Sequence, residues 1–491
     1  MGSAPPVLDS VILAAPLMLL ALMGVVLMVA AAVFRPMPRL PFWGASCLTV
    51  ATTLVLVALG SGKPATEAFS GMLRIDAYGN FFAAVVLVSG LFSLLISDSY
   101  MERIGVRVGE FYSLVLFALC GMLGMVYSND LMMTFISLEV MSIAVYVLCA
   151  IKRSDDRAVE SGFKYFILGA FSSAILLYGV AFVYGATGST ALPAIAHTLR
   201  EGGGEAAGIL ALGGALLLVG FGFKVASVPF HMWAPDVYQG APTAVTALMA
   251  SGVKAASIAA FGRVVIGAMG DDASNWNGAL WWMAAATMLV GNLAALAQND
   301  LKRIFAYSGI AHAGYLMMAL SSVAAGGAAE NGAIGSLAFY MLAYVLMNAG
   351  AFAVLALMTT SEGDDATDID RLAGLGRSHP FLAAGLSVCL ISLAGLPPTM
   401  GFIGKFYLFS AAIGAGEVGL AFVGAIGAAA GVYYYLRPMV YMYMREGSPD
   451  MAVDGRARLA LGLTSALLLI FGLMPSAILQ WANASMASVL G

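Results

Sequence analysis

Four ionisable residues, Glu139, Lys224, Lys254 and Lys405, lie deep inside apolar stretches of this chain. A charged side chain at bilayer depth costs at least about 2.5–3.5 kcal/mol on insertion scales. Such a group must be paired, reached by internal water, or used. An amine in apolar surroundings releases its proton more readily than one in water, and a nearby carboxylate restores its hold. An amine and a carboxyl that approach and separate therefore form a proton switch. Glu139 follows LMMTFIS and Lys224 stands in GFGFKVASVPFHMW, so these two are the candidates for it. Lys254 has the small neighbours Gly252, Ala255, Ala256 and Ser257, which leave room for water. Lys405, in GFIGKF, is expected to end the path toward the outside. His312, in YSGIAHAGYLMM, and His231, just after Pro229, are candidate relays, because histidine can pass a proton between its ring nitrogens. Each residue also has a plainer reading: a hydrogen-bonded carboxyl, a lysine snorkelling to the interface, a satisfied core or capping histidine. His197 and His379 read as loop residues.

The elements that must hold these groups are membrane helices. The chain has 491 residues, 61% hydrophobic and 10% charged, with a mean hydropathy of +0.91. Soluble domains carry about 25% charged residues, so a sizeable water-soluble domain is excluded. Cys47, Cys120, Cys149 and Cys389 stand far apart with no CxxC spacing, which gives no iron–sulfur, zinc or haem site. The N-terminus lacks a basic n-region, so the first apolar run reads as an uncleaved helix. A spanning helix needs about 20 apolar residues. Fourteen segments qualify: 10–34, 41–60, 77–97, 111–128, 130–151, 162–186, 208–229, 243–268, 279–297, 303–322, 333–360, 382–411, 417–443 and 459–482. Open strands cannot satisfy their backbone in lipid, and an alternating barrel pattern is absent. The expected fold is an all-α polytopic membrane protein.

Three of the 23 basic residues are the intramembrane lysines; of the other twenty, sixteen fall at the odd-to-even loops and four at the opposite ones. This positive-inside bias places both termini outside. Pro229 and Pro235 stand near the end of span 7 and Pro397 and Pro398 inside span 12, so both are expected to be broken. GFGFK at 220–224 and GFIGK at 401–405 share Gly-Phe-x-x-Lys. Interrupted helices in corresponding positions of two halves point to a transport site built on inverted repeats. Helices 4–8 would then match 9–13, giving units at 110–268 and 269–445 between an N-terminal part, 1–109, and a C-terminal helix, 446–491. An odd number of helices per unit inverts the second unit. The acidic run SEGDDATDID, 361–370, reads as a solvated inner loop or a docking surface.

At these residues the chain resembles the antiporter-like membrane subunits of respiratory complex I. FGFKVASVPFHMWAPDVYQGAPTAVTALMASGVKAA carries the resemblance most specifically, supported by LEVMSIAVYVL, NDLKRIFAYSGIAHAGY and AGLPPTMGFIGKF. The resemblance implies fourteen helices with two inverted five-helix units. It maps the family's helix 5 glutamate onto Glu139 and its helix 7, 8 and 12 lysines onto Lys224, Lys254 and Lys405. It also implies no redox cofactor in this chain; FMN, iron–sulfur clusters and quinone would lie in other subunits of the complex. The expected partners are the lipid bilayer and the other membrane-arm subunits, antiporter-like ones included, with no nucleic acid. A bacterial inner membrane is the expected location, with periplasmic termini. Lysine at the helix 12 position, and no long lateral helix after helix 14, single out one branch of the family. The alternatives are a cation/proton antiporter subunit, which uses similar lysines, and a structural scaffold with vestigial charges.

Overall fold

Backbone groups at bilayer depth must be bonded within their own segment, and the α-helix does this for an apolar run of any composition. The computed structural model describes residues 7–34, 39–106, 109–201, 206–269, 274–327, 332–359 and 365–486. Among these described residues, thirteen helices are long and apolar enough to cross a membrane. The chain begins with α1 (Val7–Leu13), α2 (Ala15–Val33) and α3 (Arg39–Gly60), then a hairpin of β1 (Thr66–Ala68) against β2 (Leu73–Ile75). Next come α4 (Ala77–Arg103), α5 (Glu110–Tyr127), α6 (Leu131–Cys149), α7 (Asp156–Thr187) and a short α8 (Leu192–Arg200). The seventh expected span is α9 (Ala207–Val225) and, past a break, α10 (Ala234–Gly240). The eighth is α11 (Thr243–Leu248), a π-helical turn at Met249–Val253, and α12 (Lys254–Val264). α13 (Ser274–Leu296), α14 (Leu301–Ser322) and α15 (Ala333–Leu355) follow. After a single turn, α16 (Leu375–Ser378), the expected twelfth span is two shorter helices, α17 (Pro380–Ala394) and α18 (Met400–Gly414). The chain closes with α19 (Val418–Met444), α20 (Gly455–Leu473) and α21 (Ser476–Met486).

A helix that is apolar all round belongs in the middle of a large assembly. The 18 residues at the apolar heart of Thr243–Ala268 and of Ala333–Leu355 are all buried and those of Leu301–Gly326 94% so, against 28% for Ala15–Val33. The helices that carry Lys254 and His312 are therefore core helices. The outer ones present Leu, Val, Ile and Phe to lipid or to a neighbour.

Two local devices occur twice. Asp130 caps α6 and Asp300 caps α14. The hydroxyl of Thr190 donates to Asp130 and that of Thr367 to Asp300, both at 2.6 Å. The amides of Leu131 and Leu301 donate to the carbonyls of Thr190 and Thr367, and the amides of Leu192 and Ile369 to those of Asn129 and Asn299. The C-termini of α9 and α17 also match. Ala226 and Gly395 are both left-handed (φ 60° and 78°), and the amides of Ser227 and Leu396 reach back to the carbonyls of Gly222 and Ile391. That is one C-cap motif in both places.

The structure departs from the sequence expectations at several points. Span 7 ends four residues early, at Val225, because Ala226 turns left-handed. Pro235 does not break a helix; it sits in the first turn of α10, where its missing N–H is harmless. The first expected span is split into α1 and α2. His197 is not in a loop but on α8, beside Glu201. Five basic residues counted with the loops lie in helices with acidic partners: Lys164 with Glu160 and Asp236, Arg263 with Asp76, Lys302 with Asp365, Arg303 with Asp236, and Arg456 with Asp98. The acidic run is not simply a solvated loop either. Its first four residues lie outside the described residues, but Asp365 is a largely buried ion-pair partner.

Arg263 and Asp76 form the most enclosed of these pairs, with side chains 3% and 0% exposed. Arg263 donates from both terminal nitrogens to the two Asp76 oxygens, at 2.9 and 2.8 Å, and from Nε to the Val126 carbonyl. Asp76 also caps α4 through the Gly79 amide. The pair thus ties the end of α12 to the start of α4 and the end of α5. Removing one partner of a buried pair strands the other, at about 3–5 kcal/mol. Asp76→Asn is expected to lower the thermal unfolding midpoint of the detergent-solubilised protein. Adding Arg263→Met should recover part of the loss, as read by differential scanning fluorimetry.

Candidate functional site

Lys224 stands in the last turn of α9, buried, one residue before the helix ends. Its Nζ lies 5.3 Å from the ring centre of Tyr146 and 5.2 Å from that of Tyr165, with the Tyr146 hydroxyl at 3.5 Å. Tyr165 in turn stacks on Trp233 at 4.3 Å, in the break between α9 and α10. Aromatic faces attract an ammonium through their quadrupole without bringing a charge of their own. Glu139 does not form an ion pair with Lys224. It is partly exposed on α6 and accepts a hydrogen bond from Ser173 of α7. Tyr146 lies two turns further along α6, so the helix that carries Glu139 reaches Lys224 through a phenol instead.

Lys254 follows the π-helical turn directly. Such turns insert one extra residue and frequently mark functional sites. Its Nζ donates to the Gly309 carbonyl of α14 and lies 5.5 Å from the Tyr344 ring. A Cβ at Gly309 would stand 3.0 Å from that Nζ and 2.9 Å from the Tyr344 hydroxyl. Glycine is what lets the amine reach the backbone there.

His312 is one helical turn beyond Gly309, wholly buried among tyrosines. Its Nδ1 bonds the Tyr340 hydroxyl at 2.6 Å and its Nε2 the Tyr435 hydroxyl at 2.9 Å, while Tyr435 also bonds Ser308. Tyr344 packs against the ring at 4.9 Å and Tyr315 meets it edge-on at 5.7 Å. Either ring nitrogen can carry the proton, because each faces a hydroxyl able to donate or accept.

Lys405 comes next. Its Nζ lies 5.2 Å from the Tyr315 ring and donates to the carbonyls of Leu393 and Ala394 at 2.9 and 3.0 Å. These carbonyls end α17, so Lys405 reaches back from α18 across the break to a helix C-terminus, where a cation is favoured. Gly395 keeps that space open: a Cβ there would stand 2.7 Å from the lysine Cδ, and its φ of +78° suits glycine. The Gly-Phe-x-x-Lys match therefore does not mark equivalent positions. With the C-caps of α9 and α17 in register, Lys224 corresponds to Leu393, whose carbonyl Lys405 holds. The two lysines serve corresponding helix ends from opposite sides of the break.

The structure thus joins Lys254, His312 and Lys405 into one chain along α14, through Gly309, His312 and Tyr315. It leaves Lys224 and Glu139 as a separate cluster; the bonds of Lys224 end on Tyr146 and those of Lys254 on Gly309. His231 lies in the α9–α10 break with its Nδ1 buried and unbonded. Sequence reasoning missed Tyr146, Tyr315, Tyr340, Tyr344 and Tyr435, although Tyr340 and Tyr344 stand four apart on one face of α15.

A model of the NADH:quinone oxidoreductase/Mrp antiporter transmembrane family matches residues 128–431. NADH-quinone oxidoreductase subunit N of Trichlorobacter lovleyi is 45% identical over 420 residues, 85% of each chain. A chain of respiratory complex I from Thermus thermophilus superposes with a TM-score of 0.80 at 36% identity, over 95% of this chain and 98% of that one. A chain of the Mrp complex from Dietzia sp. shares the fold, with a TM-score of 0.81 at 21% identity over 99% and 100%. The chain belongs to the NADH:quinone oxidoreductase/Mrp antiporter family of membrane subunits, in the group of NADH-quinone oxidoreductase subunit N.

Proposed function

We propose that the chain moves protons from the cytoplasm to the periplasm as a membrane subunit of a proton-translocating NADH:quinone oxidoreductase, driven by quinone reduction elsewhere in the complex. The observation that carries this reading is the buried chain from Lys254 through His312 to Lys405. Three proton-binding groups are held in line by hydroxyls and backbone carbonyls in the core of the protein. FMN, iron–sulfur clusters and quinone belong to other subunits, and this chain contributes translocation. The layout is two inverted five-helix units, helices 4–8 and 9–13, in a fourteen-helix bacterial inner-membrane protein with periplasmic termini. The repeated aspartate clasp and the repeated C-cap support that layout, and so does the basic bias of one side.

In this mechanism Lys254 receives a proton and passes it to His312, with Tyr344 and the Gly309 carbonyl around the transfer. Tyr340 and Tyr435 hold the imidazole so that a proton accepted on one nitrogen can leave from the other. Lys405 then takes it at the end of α17 and releases it outside. Lys224 and Glu139 act before this chain, as the cluster that neighbouring subunits can perturb. Moving a charge against the membrane potential costs about 2.3 kcal/mol per 100 mV. A shift of about two units in the proton affinity of one group, at about 1.4 kcal/mol per unit, is of that size.

Two outcomes test the reading in inverted membrane vesicles carrying the assembled complex. Lys254→Ala or Lys405→Ala should abolish the proton movement attributable to this subunit, lowering protons pumped per NADH oxidised; full pumping in an assembled complex would sink the proposal and favour the scaffold. Tyr340→Phe removes one hydrogen bond to His312, about 1 kcal/mol. It should slow proton transfer severalfold while the complex still assembles, as read from the initial rate of dye quenching. Sodium-dependent transport in membranes without NADH turnover would instead favour a cation/proton antiporter.

A further inference from the structure

On the side where Lys152, Arg157 and Lys302 cluster, the structure holds a polar cavity of about 550 Å³. At about 30 Å³ per water in the liquid, it has room for a group of waters. Tyr100, Gln239, Pro242 and Asp365 are among the residues that line it. Asp365 is the point where four elements meet. Its Oδ2 accepts from Lys302 Nζ of α14 at 2.5 Å and from the Thr243 hydroxyl of α11 at 2.7 Å. The Tyr100 hydroxyl at the end of α4 lies 2.9 Å from both carboxylate oxygens and itself accepts from the Thr243 amide at 2.7 Å. Lys302 Nζ has a second acceptor, the Ala241 carbonyl, at 2.9 Å. Burial alone would raise the Asp365 carboxyl, but the Lys302 ammonium and the hydroxyls outweigh it and hold the group below its ordinary value.

Past this cluster a line of hydroxyls follows the seam between α4 and α11. The Ser93 hydroxyl donates to the Ala244 carbonyl at 2.9 Å, and Ser89 and Ser251 bond each other at 2.6 Å. Ser251 is in the π-helical turn, three residues before Lys254. The rise from Thr243 to Lys254 is about 16 Å at 1.5 Å per residue, and so is that from Tyr100 back to Ser89. The seam therefore runs from the cavity to the level of Lys254. Gly252 lets the helices close there, since a Cβ at that position would stand 2.9 Å from Ser89 Oγ.

We propose that the Lys302–Asp365 pair is the inner gate of a proton intake that runs from this cavity along the α4–α11 hydroxyl seam to Lys254, without passing Lys224. With Lys302 on the carboxylate, Oδ2 accepts from Lys302 and Thr243 while the Tyr100 hydroxyl lies against both oxygens, and the gate is closed. When Lys302 keeps only its bond to the Ala241 carbonyl, Asp365 takes a proton from a cavity hydronium, leaving water and a neutral carboxyl. The carboxyl gives that proton to the water and hydroxyls of the seam, and Lys302 returns to the regenerated carboxylate. Proton and charge balance at each step, and Asp365 ends as it began.

This intake rests on the proton-translocating reading above, and its test separates the two. Protons pumped per NADH oxidised would be measured in inverted vesicles for Asp365→Asn, for the double Lys302→Met/Asp365→Asn, for Ser89→Ala and, in parallel, for Lys254→Ala. All four are expected to pump fewer protons per electron. The double variant leaves no charge unpaired, so a purely structural clamp would return it to the wild-type ratio, which would overturn the gate. If the Asp365 variants fail to assemble, Ser89→Ala decides, and full pumping there overturns the intake. A deficient Lys254→Ala beside normal Ser89 and double variants would reject the intake alone; a normal Lys254→Ala would reject the transfer chain itself.

Discussion

An ammonium group inside hydrocarbon must find its whole solvation shell in the protein, and the arrangement of this chain follows from how that demand is met. The ion pairs lie toward the helix ends: Arg263 with Asp76, Lys302 with Asp365, Arg456 with Asp98. The three central lysines are held differently. Lys224 faces two tyrosine rings, Lys254 a carbonyl and a ring, and Lys405 two carbonyls and a ring. A carboxylate at contact distance would fix each charge in place. Carbonyl dipoles and ring quadrupoles satisfy an ammonium without adding a unit negative charge beside it. The ion-paired charges and the three central lysines thus receive different surroundings within one fold.

Backbone geometry supplies those surroundings. Free carbonyls at bilayer depth exist mainly where a helix stops, and stopping is tolerated only where the freed groups find partners inside the protein. The end of α17 offers Leu393 and Ala394, and Lys405 takes both. Gly309 instead exposes a carbonyl in mid-helix by having no side chain. The left-handed caps at Ala226 and Gly395, the π-helical turn before Lys254 and the glycine at 309 are all places where a regular helix gives way. Lys224, Lys254 and Lys405 stand beside them.

The cost of burying charge made the lysines visible in the sequence, since nothing else explains Lys254 eleven residues into an apolar span. Their partners were not visible. Tyrosines 315, 340, 344 and 435 are amphipathic residues common in any core, and only the convergence of α14, α15 and α19 gathers their rings around His312. The Gly-Phe-x-x-Lys match misled because a short motif says nothing about which side of a helix break it occupies. The C-caps carry that information, and they depend on backbone angles. Glu139 was legible as a charge in a membrane, but its bond to Ser173 depends on how α6 and α7 turn toward each other. Asp365 was hidden for a different cause: inside an acidic run, one buried carboxylate looks like its solvated neighbours.

The spacing of contacts along the path is uneven, and that unevenness bears on how a pump can work. From Lys254 to Lys405 the rings of Tyr344 and Tyr315 stand between successive groups, and this part is core-buried. Lys224 stands apart from it, on the side of the molecule where α6 and α7 expose Ile136, Val140, Ile143, Phe163 and Phe166. A continuous path open at both ends would dissipate the gradient, so a pump requires an interruption that can be bridged on demand. The Lys302–Asp365 pair proposed as the inner gate supplies such an interruption on the intake, while the cluster closest to that exposed face stands apart from the one sealed in the core. A force arriving from a neighbouring subunit would meet Glu139 and Lys224 first and would reach Lys254 only by moving α9 or the π-helical turn. Coupling by displacement of a helix end is then mechanically simpler than coupling by a charge acting through the whole core.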